Sequence, residues 1–297
     1  MLTHLHPSPL RPARVVVLGA RGFVAAAVIA RLSRSGVSVL GLPAADLDLT
    51  APDAGAQLAA LLLPDDVLVF VSALTPDRGR DIATLMKNLQ MGQQVSAALA
   101  ARPCAHVVYL GTDAVYPDAA TLVRESTCAE PGSFHGTMHV VRERMLIEAL
   151  RVTATPLTRL RPSLLYGAAD THNGYGPNRF ARAAVAGTPI ALFGGGEEQR
   201  DHVAVGDVAA IVERVIAHRS TGVLNIATGR SMSFRALADL ARDAVGGTVE
   251  ITPSPRANPV THRHFDITNL ISAFPDFRFT DPREGVTAMV RELATAR

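Results

Sequence analysis

The amino-acid sequence predicts an α/β protein with a doubly wound parallel sheet and a smaller C-terminal α+β lobe. Three observations predict this fold. Short β-branched runs alternate with longer helical patterns over the first half of the chain. A glycine-rich turn joins the first run to the first helical pattern. The length of 297 residues is enough for two compact units.

Residues 1–13 precede the first predicted strand. They contain three prolines and no periodicity, so we expect a loose N-terminal arm. Regular structure is predicted to start at Arg14, because Val15-Val16-Val17-Leu18 is typical of a strand buried on both faces of a parallel sheet. The next predicted elements are a helix over 22–35, strands over 37–42 and 67–71, a helix over 80–101, a strand over 105–110, a helix over 135–150 and a strand over 156–160.

The pattern changes after about residue 162, where Gly, Pro and Asn become frequent and the apolar runs shorten. A helix near 206–218 is predicted to return to the first domain. We predict a first domain over 14–165, completed by about 203–228, and a second lobe made of 166–202 and 229–297.

Charge and cysteine usage exclude several classes of protein. The chain has 29 Lys and Arg residues and 27 Asp and Glu residues, which gives a net charge of +2. The basic residues form no continuous cluster in the sequence, so we expect no nucleic-acid partner. Cys104 and Cys128 are too few for a disulfide framework, and no stretch approaches the roughly 18 apolar residues of a membrane span. The first residues lack the pattern of a secretory signal. We therefore expect a cytoplasmic protein with a small-molecule substrate and no membrane partner, and a homodimer stays open.

The glycine-rich turn is Gly19-Ala20-Arg21-Gly22-Phe23-Val24-Ala25, a G-x-x-G-x-x-A pattern at the start of a helix. Glycine permits the tight turn and lets the backbone approach a pyrophosphate, and a small residue at the last position lets helix and strand pack closely. Such turns also occur without a ligand, but the place after the first strand of a βαβ series favours dinucleotide binding. We predict a Rossmann-type first domain that holds the cofactor at Gly19, Arg21, Gly22, Phe23, Val24 and Ala25, and a second lobe that binds the substrate.

The choice of dinucleotide depends on the end of the second strand. A carboxylate there would bind the adenosine ribose and favour NAD, but the strand runs into Pro43. Arg21 can instead pair with a 2′-phosphate, although a solvated surface arginine is the alternative. The predicted cofactor is therefore NADPH (NADP). Asp48 and Leu49 are expected at the adenine edge, with a plain surface turn as the alternative.

Further motifs follow in a constant order along the chain. They are Asp48-Leu49-Thr50, Val71-Ser72-Ala73, Asn88, Gly111-Thr112-Asp113-Ala114-Val115-Tyr116, Arg161-Pro162-Ser163-Leu164-Leu165-Tyr166-Gly167, Gly187-Thr188-Pro189-Ile190, Gly194-Gly195-Gly196, Arg200-Asp201-His202-Val203, Asp207-Val208-Ala209 and Asn225-Ile226-Ala227-Thr228-Gly229. With these motifs the chain resembles the extended short-chain dehydrogenase/reductase family, which includes nucleotide-sugar epimerases, dehydratases and reductases. The resemblance covers almost the whole chain. It implies that Ser72, Ala73 and Pro162 also lie at the cofactor.

The chemistry of that family uses a Ser or Thr hydroxyl and a Tyr-x-x-x-Lys pair. The resemblance assigns Thr112 to the hydroxyl that polarises the substrate carbonyl. His135 and His139 stand at the Tyr and Lys positions, since Glu143 follows at the usual spacing. Of the 29 basic residues 28 are arginine, and the single lysine, Lys87, belongs to another predicted helix. The proton-transfer step is therefore altered in this chain, whereas cofactor binding is not.

His135 and His139 are four residues apart and share one face of their predicted helix. In one hypothesis His135 is the proton donor, because imidazole titrates near neutral pH. In another the histidines only shape the site, and a hydroxyl of the substrate or a water stabilises the developing alkoxide. A zinc site would need a third ligand, which is not evident nearby, so no metal is predicted. The last hypothesis is that the site is inactive. Tyr109 and Tyr116 are expected to pack in the core, which leaves Thr112, His135 and His139 as the candidate catalytic residues.

Loss of a general acid affects the reactions of the family unequally. Hydride delivery depends mainly on positioning, and general acid catalysis supplies about 10²–10⁴-fold, so a reductase can survive a loss that affects an epimerase or dehydratase more severely. We therefore predict an NADPH-dependent oxidoreductase that reduces a ketone. The double departure from Tyr-x-x-x-Lys resembles the atypical ketoreductases that modify aromatic polyketides, which implies an angucyclinone-type antibiotic intermediate as substrate. A nucleotide-sugar reductase or epimerase and a non-catalytic NADP-binding regulatory protein remain as alternatives.

Overall fold

The computed structural model describes residues 2–171, 173–174, 176–256 and 258–296. The strands are β1 (Thr3–His4), β2 (Arg14–Leu18), β3 (Val39–Leu42), β4 (Asp66–Phe70), β5 (His106–Leu110), β6 (Leu122–Val123), β7 (Leu157–Pro162), β8 (Leu164–Tyr166), β9 (Ile190–Phe193), β10 (Gln199–Arg200), β11 (His202–Ala204), β12 (Ser220–Ile226), β13 (Met232–Ser233), β14 (Ile251–Ser254) and β15 (His264–Phe265). The helices are α1 (Phe23–Arg34), α2 (Ala54–Leu61), α3 (Ile82–Ala101), α4 (Phe134–Arg151), α5 (Gly176–Ala186), α6 (Val205–Ala217), α7 (Phe234–Asp243), α8 (Thr268–Ala273) and α9 (Pro282–Thr295), with a 3₁₀ turn over Asp113–Val115.

The main sheet has seven strands in the order β1-β12-β7-β5-β4-β2-β3. Every pair in it is parallel except β1 with β12. From β2 the chain first continues to β3 on one side and then returns to β4 on the other side. The order therefore reverses between β2 and β4, and in such sheets the ligand crevice opens there, beyond the carboxyl ends of the strands. The predicted doubly wound α/β fold is confirmed.

Helices cover both faces of this sheet, and the period of two along β2 divides its side chains between them. Val15 and Val17 belong to the apolar core shared with α1 and α6. Val16 and Leu18 belong to the core shared with α2, α3 and α4. All four side chains are at most 1% exposed, which explains why the strand reads as an unbroken apolar run.

The smaller lobe has an apolar core of its own. Helices α5, α7 and α9 pack with the parallel pair β9 and β14 around Phe180, Leu192, Leu237 and Met289. Strands β8 and β11 pair in parallel where the chain leaves and re-enters the main domain. No helix in the described ranges combines the length and the apolar character needed to cross a bilayer.

Three segments differ from the sequence predictions. The described part of the predicted loose arm, residues 2–13, is tied to the main sheet, because β1 pairs with the edge strand β12 and the His4 imidazole lies 2.8 Å from the Ser220 hydroxyl oxygen. Helix α2 was not predicted. Residues 267–279, assigned to the second lobe, instead pack Leu270 and Phe274 into the core between the main sheet and α6.

Candidate active site

The glycine turn begins directly after β2. Gly19 has a φ of +82°, and a Cβ at this position would lie 2.8 Å from the Ser72 hydroxyl oxygen, so only glycine fits between the turn and the end of β4. Gly22 precedes α1 and has no side chain to cap it. The N–H groups of the first helical turn are therefore left for a ligand, as in other anion-binding helix N-termini.

A groove of about 530 Å³ lies above this turn at the crevice between β2 and β4. Ten of the eleven predicted cofactor residues line it: Gly19, Arg21, Gly22, Phe23, Val24, Asp48, Leu49, Ser72, Ala73 and Pro162. Ala25 does not line it. Its side chain is fully buried in the core that includes Val15 and Val17, where it lets α1 pack closely on the sheet.

Two charged residues stand in the groove where the sequence predicts the adenosine half of the cofactor. Arg21 is exposed and has no ion pair or side-chain hydrogen bond with any residue of the described ranges. Asp48 accepts hydrogen bonds from the Thr50 amide and hydroxyl, and these bonds lower the pKa of its carboxyl. Strand β3 ends at Leu42, whose carbonyl accepts from the Gly19 amide. Pro43 follows Leu42, so no carboxylate stands directly after that strand.

Two buried polar side chains that the sequence analysis did not assign to the site hold the groove wall at residues 72–74. The Asn88 amide group exchanges two hydrogen bonds with the backbone of Leu74, at 2.9 and 3.0 Å. Arg142 is fully buried and donates to the Ser72 carbonyl at 2.7 Å and to the Asn88 carbonyl at 2.8 Å. Paired in this way, the guanidinium links α4, α3 and the segment after β4.

Thr112 and His135 line the same space because α4 begins close to the turn after β5. A Cβ on Gly136 would overlap the carbonyl oxygen of Ala114, so glycine permits this approach. The Thr112 hydroxyl oxygen accepts from the Ala114 amide at 3.2 Å. Because this bond uses a lone pair, the hydroxyl hydrogen stays available for another acceptor.

A second cavity of about 770 Å³ lies next to the groove. Pro76, Thr112 and His135 line both spaces, so the two join at the candidate catalytic residues. The apolar part of its wall includes Leu85, Leu164 and Phe134, whose side chain is 46% exposed. The cavity therefore offers an apolar wall next to Thr112, where it joins the groove.

Most of the charged groups of the larger cavity form ion pairs with one another: Arg200 with Glu198, and Arg263 with Asp113 and Asp118. The Arg263 guanidinium lies 3.3 Å from the Asp113 carboxylate and donates to the Pro117 carbonyl at 2.9 Å. Burial raises the pKa of Asp113, and Arg263 opposes that shift. Arg200 donates to the Thr261 carbonyl at 2.6 Å, and desolvation lowers its pKa. The full charged lining is Arg80, Arg200 and Arg263 with Asp81, Asp113, Asp118 and Glu198.

His139 differs from the lysine whose position it takes, because it is buried and neutral. It is 4% exposed, and its Nδ1 lies 2.7 Å from the Tyr109 hydroxyl oxygen. Burial lowers its pKa well below the usual value. Its ring meets the ring of His135 edge to face, with 4.7 Å between centroids. Among the described residues no group of three or more His, Cys, Asp or Glu is arranged to hold a metal ion.

The sequence model of the NAD dependent epimerase/dehydratase family matches residues 15–227, which is more than half of the chain. The chain belongs to this family. The prediction of a nicotinamide-dependent, oxidoreductase-type enzyme is thereby confirmed at the level of the epimerase/dehydratase family. The match includes the glycine turn, Thr112 and both histidines of α4.

Solved structures share the fold over nearly the whole chain. UDP-glucose 4-epimerase from Thermus thermophilus, in complex with NAD, has a TM-score of 0.82 at 20% identity, and the match covers 96% of this chain and 100% of that one. RMD from Pseudomonas aeruginosa, complexed with NADPH, has a TM-score of 0.84 at 21% identity over 96% and 100%. UDP-N-acetylglucosamine 4-epimerase from Methanobrevibacter ruminantium has a TM-score of 0.84 at 19% identity over 97% and 100%. At these identities the similarity shows a shared fold. It does not identify the substrate, which has to be inferred from the residues of the site.

Proposed function

We propose that this chain is an NADPH-dependent ketoreductase whose substrate is a ketone of an aromatic polyketide intermediate of the angucyclinone type. The observation that carries the proposal is the junction of groove and cavity at Thr112 and His135. A ketone in the cavity would meet the cofactor groove only there.

The residues of the groove fit a phosphorylated dinucleotide. The uncapped first turn of α1 suits a pyrophosphate, and the unpaired Arg21 suits the 2′-phosphate. NADPH, when bound, supplies the hydride that reduces the carbonyl carbon. The chain supplies the position of the ketone and the hydrogen bond to its oxygen.

Thr112 is the proposed donor to the ketone oxygen, since its own oxygen already accepts from the Ala114 amide. As negative charge develops on the ketone oxygen, this preoriented hydroxyl stabilises it. The single proton that the alkoxide takes up comes from a phenol beside the ketone, which water then reprotonates, or from water directly. Neutral His139 is held by Tyr109 and does not provide a cation. An internal hydrogen bond from such a phenol replaces part of the work of the family tyrosine.

The charge of the larger cavity disfavours the nucleotide-sugar alternative. Four carboxylates against three guanidinium groups line it, and Arg200 and Arg263 already donate to protein oxygens. A nucleoside diphosphate would place at least two negative charges where no cation excess exists. A neutral aromatic ketone has no such cost, and the partly exposed ring of Phe134 offers it an apolar contact.

The test is NADPH oxidation by the purified protein with two substrate panels. One panel contains aromatic polyketide ketones with a neighbouring phenol, and the other contains UDP- and dTDP-sugars. We expect turnover with the first panel only. Thr112→Ala should lose most of this turnover, and the matched control Thr112→Ser, which keeps the hydroxyl, should retain it. Epimerisation of a nucleotide sugar without reduction of any ketone would refute the proposal, and tight NADPH binding without turnover of either panel would favour a regulatory protein.

A further inference from the structure

A buried contact joins the sheet to the catalytic helix behind the cofactor groove. Tyr109, on β5, is 1% exposed, and its hydroxyl oxygen lies 2.7 Å from Nδ1 of His139. His139 lines the groove, and its Nε2 has no hydrogen-bond partner among the described residues. One ring nitrogen is thus fixed by the protein, and the other is left for a ligand.

Burial of the Tyr109 hydroxyl determines which atom donates in this contact. The hydroxyl has no other hydrogen-bond partner in the described ranges, so a donating Nδ1–H would leave the buried phenol hydrogen without an acceptor. The phenol hydrogen is therefore directed to His139, whose Nδ1 accepts it. Burial raises the pKa of Tyr109 and lowers that of His139, so both groups are neutral. A neutral imidazole that accepts at Nδ1 carries its proton on Nε2.

We propose that Tyr109 is a positioning residue that holds His139 as the neutral Nε2–H tautomer, so that His139 presents a fixed N–H donor to the nicotinamide cofactor. The inference rests on the proposed function only in taking the groove as the NADPH site. In this arrangement the ammonium of the family lysine is replaced by the neutral Nε2–H group of His139. Tyr109, on a strand of the main sheet, fixes the orientation of that group. Such a donor is worth one neutral hydrogen bond, or about a two- to tenfold change in dissociation constant.

The tautomer can be measured without cofactor or substrate. Nitrogen-15 NMR of histidine-labelled wild-type protein distinguishes Nδ1–H from Nε2–H imidazole, and comparison with His139→Gln assigns the signal among the ten histidines. We expect the Nε2–H form in the wild type. In Tyr109→Phe the signal should shift toward a mixture of tautomers, because the fixed donor to Nδ1 is gone.

Tyr116→Phe is the matched control, because Tyr116 is also a buried tyrosine with a bonded hydroxyl, 2.6 Å from the Asn225 side-chain oxygen. It does not contact His139, so the His139 signal should stay in place. A general loss of packing would move both variants alike. An Nδ1–H signal in the wild type would overturn the proposal even if Tyr109→Phe does not fold.

Cofactor binding supplies the second measurement. Calorimetric titration of NADPH into Tyr109→Phe should give a dissociation constant about two- to tenfold above wild type. In the His139→Gln background, where the side chain offers an amide donor but no ring acceptor at the Nδ1 position, the Tyr109→Phe change should have no further effect. Equal losses in both backgrounds would overturn the proposal.

Kinetics separate this inference from the proposed function. With a ketone that is turned over, Tyr109→Phe should raise the KM for NADPH more than it lowers kcat. If no ketone is reduced, the ketoreductase proposal fails, while the tautomer and the NADPH titration still decide the role of Tyr109.

Discussion

Replacing Thr112 and His135 separately distinguishes substrate assistance from general acid catalysis by histidine. Thr112→Ala removes the only proposed side-chain donor to the ketone oxygen, and loss of one such donor costs about 10²–10³-fold in kcat. His135→Phe removes both ring nitrogens and keeps a ring to pack on His139, where the centroids are 4.7 Å apart. It is therefore a cleaner test than alanine, which would also leave a gap.

If a phenol of the substrate stabilises the alkoxide, His135→Phe should lose less than about tenfold in kcat/KM, well below the 10²–10⁴-fold typical of a lost general acid. The assay is kcat/KM for the ketone, measured from initial rates of NADPH oxidation for the wild type and both variants. A second substrate, with its neighbouring phenol methylated, should react poorly with the intact enzyme. A collapse of the rate in His135→Phe together with normal turnover of the methylated ketone would refute the reasoning and make His135 the proton donor.

Three further predictions concern the cofactor, metal ions and pH. Arg21→Ala should weaken NADPH binding by roughly 10- to 150-fold in calorimetric titration and leave NADH nearly unchanged, and equal losses for both would contradict the 2′-phosphate contact. Dialysis against a chelator should leave ketone reduction intact, and a stoichiometric zinc whose removal abolishes turnover would contradict this. Burial lowers the pKa of His106 to about 4 and that of His202 to about 3 from 6.5. Because the unfolded chain alone takes up these protons below pH 6.5, the melting temperature should fall as pH decreases from about 6.5 to 4. His106→Gln, which cannot titrate, should show a smaller fall.

The main sheet could be predicted from the sequence because its strands are short apolar runs and its first turn carries glycine at a position with positive φ. Helix α2 was missed because Ala54–Leu61 is rich in Ala and Leu with little polar contrast along it. The strand Thr3–His4 has only two residues, and its partners lie at 220–221, so no local pattern indicates it. This strand forms because it pairs with residues far away in the sequence, and that pairing outweighs its local composition.

The residues around His139 show what a motif comparison leaves out. The positions of His135 and His139 follow from spacing, but the contact with Tyr109 joins residues 30 positions apart, and Tyr109 was assigned only to packing. Arg142 gave one local signal, since it lies one turn after His139 on the same helix face, among apolar residues. A charged residue at such a position needs buried partners, which the carbonyls of Ser72 and Asn88 provide.

The hydrogen bond between His139 and Tyr109 bears on whether the site favours reduction or epimerisation. An epimerase must take a proton from a sugar hydroxyl and later return one, which requires a base that is accessible to substrate in both steps. His139 has Nδ1 committed to Tyr109 and carries no charge, so it cannot raise the acidity of a neighbouring group as an ammonium would. Ketone reduction needs only hydride transfer and one incoming proton, and water or a neighbouring phenol delivers that proton at neutral pH. We therefore expect the site that remains after loss of both family residues to support reduction better than epimerisation, in line with the proposed function.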